Sequence, residues 1–112
     1  MLLIKSGTGA ARVVLLQACM WGAAGIINEV YEDFGVTECW ITAGIDGQHQ
    51  DGSLHYVGYA IDVRTSNVPT DKLKTMRAEM KRRLGDDFDV VEESTHFHIE
   101  AQPHKAYTGA VA

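Results

Sequence analysis

A chain of 112 residues with net charge −5, 46% hydrophobic and 22% charged residues has the size and balance of one soluble globular domain. Its acidity excludes the usual nucleic-acid binder, which is basic. The two cysteines, Cys19 and Cys39, lie far apart without Cys-x-x-Cys spacing, so buried free thiols are expected, with a disulfide as the alternative only for an exported chain.

Residues 1–8 read as an extended lead-in, with Ser6-Gly7-Thr8-Gly9 as a turn. From about Ala10 to Phe34 the spacing predicts a helix, since Val13, Leu16, Met20, Ala23, Ile27, Val30 and Tyr31 recur every three or four positions. Gly35 ends it. The apolar run Val13 to Ile27 behind Lys5 and Arg12 has the outline of a signal peptide. It is interrupted by Gln17 and too short for an integral membrane segment. Its pattern continues into Asn28, Glu29, Glu32 and Asp33, which favours a core helix and, with it, synthesis in the cytoplasm.

Cys39 to Ala43 is a β-favouring run, followed by a Gly- and Asp-rich loop, Gly44 to Gly52. Tyr59 to Arg64 alternates as a strand, with Tyr59, Ile61 and Val63 facing the core and Ala60, Asp62 and Arg64 facing away. Thr70 or Asp71 starts a second helix with the apolar stripe Leu73, Met76, Met80 and Leu84, and Gly85 stops it. Six of the chain's ten basic residues sit on it: Lys72, Lys74, Arg77, Lys81, Arg82 and Arg83. They read as a solvated face, with attraction to an anionic cell-wall polymer or phospholipid as the functional alternative. Phe88 to Glu92 and Thr95 to Glu100 read as two strands or one bent strand. Phe97 and Ile99 point inward; His96, His98 and Glu100 share the outer face. Trp21 and Trp40 lie in apolar contexts and read as core residues. Residues 1–112 form a single domain with its structured part at about 9–104.

The chemistry-bearing segments are Ser53-Leu-His55-Tyr-Val-Gly58-Tyr-Ala60-Ile-Asp62 and Glu93-Ser-Thr-His96-Phe-His98. Imidazoles with a carboxylate suit zinc, and three protein ligands with one open position make a catalytic zinc site. Taken singly, Asp62 could pair with Arg64, and His96 and His98 could be a solvated strand face. Glu92 and Glu93 point to opposite faces of a regular strand, so only one can serve a site.

The two patterns together resemble the zinc D,D-peptidases and L-Ala-D-Glu endopeptidases of peptidoglycan, which share a fold with the Hedgehog signalling domain. The resemblance spans roughly Cys39 to Pro103 and is similar to small single-domain members found in phage genomes. It implies an α+β fold: a small antiparallel sheet with two helices on one face and the zinc site on the other. It implies Zn2+ held by His55, Asp62 and His98, with Glu93 and His96 as catalytic residues, His96 being the alternative third ligand. Ser53, Arg64 and Gln48 are the substrate-binding candidates. The family's upstream arginine is absent from Thr42 to His49, and Gln48, His49 or Arg64 would have to replace it.

The function so implied is zinc-dependent hydrolysis of a peptide bond in the peptidoglycan stem peptide. It would be carried out by a metallopeptidase of D,D-carboxypeptidase or endopeptidase type, such as a phage endolysin, reaching the cell wall by release or export. Two other readings stand beside it: a zinc-stabilised binding module that has lost catalysis, and a two-histidine, one-carboxylate iron enzyme.

Overall fold

The computed structural model describes residues 1–6, 10–11, 17–44 and 58–101. Strand β1 (Leu2–Ile4) precedes helix α1 (Ala18–Asp33) and strand β2 (Cys39–Ala43). Then come β3 (Ala60–Arg64), helix α2 (Leu73–Leu84, entered through a single 3-10 turn at Thr70–Lys72), β4 (Phe88–Glu92) and β5 (His96–Ala101). The strands form one five-stranded sheet in the order β1-β2-β3-β5-β4.

The α+β class and the two helices are as expected, but the sheet is mixed rather than antiparallel. The lead-in forms strand β1 and pairs parallel with β2, Leu2 opposite Cys39 and Ile4 opposite Ile41. A parallel neighbour needs a long crossover, and the segment containing α1 supplies it. The other pairings are antiparallel. β4 and β5 form a hairpin closed by the Glu93 N–H donating to the His96 carbonyl at 2.9 Å, not one bent strand.

Helix α1 begins at Ala18, later than the expected Ala10. Gln17 is extended, and both it and Ala11 have their N–H groups engaged outside any helix. The Ala11 N–H donates to the Lys5 carbonyl, and the Gln17 N–H to the Gly58 carbonyl, each at 3.0 Å. Those bonds outweigh the helical preference of Ala10 and Ala11, which is a weak prior. Val13 and Leu16 lie outside the described residues.

Both helices pack on one face of the sheet. Met20, Ile27, Val30 and Tyr31 of α1 and Met76 and Met80 of α2 are completely buried, in one cluster with Ile41, Ile61, Val63, Phe97 and Ile99. Tyr31 joins this core to the strands twice: its ring meets Phe97 edge-on at 6.4 Å, and its hydroxyl donates to the Arg64 carbonyl at 2.7 Å. The remaining expectations about polarity need correction. Trp40 is half-buried on the opposite face of the sheet, and Trp21 and Cys19 are exposed on α1. The strict alternation of β2 explains Trp40: with Cys39 and Ile41 inward, the residue between them must face out.

Lys74 and Arg82 are exposed, as a solvated face requires, while the other basic side chains of α2 and its entry turn are half-buried and reach partners within the chain. Arg77 donates to the Val90 carbonyl at 3.3 Å, and Lys81 to the carbonyls of Phe88 and Gly85, so the outer edge of β4 is capped by cations. This blunts an edge that would otherwise invite pairing with another chain. Lys72 binds the Phe34 carbonyl at 2.8 Å. Arg83 bridges Glu79 and Asp33 at 2.8 and 2.7 Å, tying α2 to α1, and Arg82 pairs with Glu79.

Helix α2 ends at Gly85 with φ 86° and ψ −171°, a backbone region essentially restricted to glycine. Gly85→Ala should therefore cost about 1–3 kcal/mol in a urea titration. Gly22→Ala, on the exposed side of α1 with nothing within 4 Å of an added methyl, should instead stabilise by roughly 0.5–1 kcal/mol.

Candidate functional site

The face of the sheet turned away from the helices is where the chemistry-bearing residues collect. β3 and β5 pair antiparallel with Asp62 opposite His98 and Arg64 opposite His96. Ile61, Val63, Phe97 and Ile99 fill the core side, so the period of two forces Asp62, Arg64, His96, His98 and Glu100 together on the other. Asp62 Oδ1 lies 3.1 Å from His98 Nδ1 and 3.6 Å from His96 Nε2. The outer nitrogen of His98, Nε2, lies 2.7 Å from Glu100 Oε1. All are partly shielded, Asp62 most, with 13% of its side chain exposed. Ala60, completely buried, keeps the strand slim beside them.

The pairing of β2 with β3 shifts at this point: Ile41 pairs with Val63 but Ala43 with Asp62, leaving Thr42 as an extra residue. Such a bulge bends the strand and re-aims nearby side chains. Nothing in the residue types of Cys39 to Ala43 marks it.

Glu93 and His96 meet across the mouth of the β4–β5 hairpin, Oε2 to Nε2 at 3.0 Å. Glu92 belongs to the other row, since it pairs with Phe97 of the core-facing set. The guanidinium of Arg64 lies over the Trp40 ring, 5.3 Å from its centroid, while the indole N–H donates to Glu38 at 3.1 Å. Sequence reasoning singled out Arg64 but missed Trp40 as its platform. The alternation of β2 against β3 was the available signal. Ser53, Gln48, His49 and His55 lie outside the described residues.

The His98 imidazolium is stabilised by its hydrogen bond to Asp62 and, secondarily, by that to Glu100; together they outweigh burial and push its pKa up to about 9. Elsewhere burial pushes the Cys39 thiol up to about 12, which makes it an inert core group.

The donor set is compatible with zinc as far as it is described. Two ligands at about 2.0–2.1 Å on a tetrahedral ion stand roughly 3.3 Å apart. The 3.1 Å between Asp62 Oδ1 and His98 Nδ1 is close to that spacing. Among the described residues no group of three metal-binding side chains is assembled. The expected third ligand, His55, is not among them.

Residues 10–101, and so most of the chain, match the Hedgehog amino-terminal signalling domain family. The Indian hedgehog protein of Gallus gallus is 29% identical over 100 residues, covering 88% of this chain and 24% of that protein. The chain thus spans about a quarter of the length of this relative. No solved structure matches.

These matches overturn the expected function. They point to a signalling domain and not to peptidoglycan hydrolysis, so the hydrolase, metallopeptidase and phage endolysin readings are withdrawn. With them goes the reading of a cytoplasmically made cell-wall enzyme. The peptidoglycan stem peptide has no support as a partner. No helix among the described residues is long and apolar enough to cross a membrane. The reason for the error is physical: a ligand set specifies an ion, not a reaction, and one fold can carry it in enzymes and in signals. The absence of the family's arginine between Thr42 and His49 was the departure in the sequence that weakened the expected peptidase substrate. The chain belongs to the Hedgehog amino-terminal signalling domain family.

Proposed function

We propose that this chain is a recognition domain that signals by docking a protein partner on the face of its sheet turned away from the helices. The observation that carries this reading is the Arg64 guanidinium stacked on Trp40 at the edge of the Asp62–His98 cluster. Among the described residues no carboxylate pairs with Arg64. Tryptophan and arginine are the residue types that most often anchor protein interfaces, and a stacked guanidinium is already ordered before its partner arrives.

In the same reading Asp62 and His98, with His55, hold a zinc ion that ties β3 and β5 to the segment before β3. Its contribution is to rigidify this face, since binding to the native state alone stabilises it. Glu93 and His96 then form part of the docking rim, their contact fixing the hairpin mouth.

The test is competition. Labelled chain should bind the surface of cells that bind the corresponding part of chicken Indian hedgehog, and unlabelled relative should displace it. Arg64→Ala should weaken that binding at least tenfold with the melting curve unchanged, the scale of a hot-spot truncation above about 1.4 kcal/mol. Absence of displacement, or release of products from muropeptides by the purified chain, would overturn the proposal.

A further inference from the structure

Both nitrogens of His98 lie within hydrogen-bond distance of a carboxylate, and only the Nδ1 contact is also wide enough for two ligands of one ion. Nδ1 stands 3.1 Å from Asp62 Oδ1, near the spacing of two ligands on one tetrahedral ion. Nε2 stands 2.7 Å from Glu100 Oε1, too close for a shared ion and right for a charge-assisted hydrogen bond. His98 and Glu100 are two apart on β5 and so lie on one face, with Ala60 opposite Glu100 on β3. The small alanine leaves room for the carboxylate to lie along the sheet towards the ring.

We infer that Glu100 is a positioning residue for the metal centre: it holds the Nε2–H of His98, so that Nδ1 is the nitrogen offered to zinc. This rests on the zinc reading above. A neutral imidazole carries one N–H, and the partner of that N–H decides which nitrogen keeps a free lone pair. Removing the outer partner of a ligating histidine typically costs 10–100-fold in metal affinity.

Zinc affinity of the full chain, measured by competition with a chromophoric chelator, tests the inference alongside long-range 1H–15N spectra of the zinc-loaded His98 ring. The wild type should bind through Nδ1 with Nε2 protonated. Glu100→Ala should bind zinc 10–100-fold more weakly and show mixed ring signals. Glu100→Gln, whose amide oxygen still accepts from Nε2–H, should recover most of the affinity and the wild-type ring pattern. Zinc on Nε2, or equal affinity in wild type and Glu100→Ala, would overturn the role of Glu100 while leaving the zinc site standing. A wild type that takes up no zinc would overturn both. Loss of zinc in Glu100→Gln as deep as in Glu100→Ala would make Glu100 a ligand and also overturn the inference.

Discussion

Phe97→Ala should destabilise the domain by about 3–5 kcal/mol, the range for a large aromatic removed from a sealed core. Phe97, the second residue of β5, is completely buried and meets the Tyr31 ring edge-on, an arrangement that adds roughly 0.5–1.5 kcal/mol to its burial. The same ring supports the Tyr31 hydroxyl bond to the Arg64 carbonyl, so the cavity would loosen α1 from β3 as well. Against a typical domain stability of 5–15 kcal/mol this is a large fraction. A urea titration measures it, and Val91→Ala supplies the contrast. Val91 is 45% exposed and belongs to the outward row of β4, opposite His98, so its truncation should stay within about 0.5 kcal/mol. Equal losses in the two variants would mean that the faces of the sheet have been assigned the wrong way round.

That row assignment was legible before any coordinates because β5 alternates without interruption from His96 to Ala101. A period of two admits only two choices, and Phe97 with Ile99 decides between them. Met76 and Met80 on α2 were equally plain, as was the stop at Gly85. What stayed hidden depended on contacts distant in sequence. The three residues of β1 carry too little pattern to announce a parallel partner that begins at Cys39. Just before α1, the Gln17 N–H is taken by the Gly58 carbonyl, a partner 41 residues away that no local preference encodes. The bulge at Thr42 arises from how β2 meets β3. Trp40 was misplaced because the apolar run around it outweighed the alternation that pointed it outward. The site divides in the same way. Asp62, His96 and His98 come together because their strands pair in register, whereas the biological use of the cluster depends on a partner that the cluster does not specify.

Removing Asp62 should cost the chain most of its zinc. The wild type is expected to bind about one ion, the stoichiometry of a single site with three protein ligands. At a free concentration a thousandfold above the dissociation constant that ion stabilises the native state by about 4.1 kcal/mol, so a chelator should lower the melting temperature. Asp62→Ala should abolish the chelator's effect together with the bound metal, because it deletes the carboxylate that faces both imidazoles. The two histidines then separate. His98 Nδ1 lies 3.1 Å from Asp62 Oδ1, whereas His96 Nε2 lies 3.6 Å from it and 3.0 Å from Glu93, to which it is turned. His98→Ala should therefore release zinc and His96→Ala should keep it, with Glu92→Gln as a control on the core-facing row. Metal analysis of the purified variants, with melting curves taken with and without chelator, reads all four. Retention in His98→Ala with loss in His96→Ala would move the ligand two residues along β5, and the Glu93 contact would then be the one that orients it.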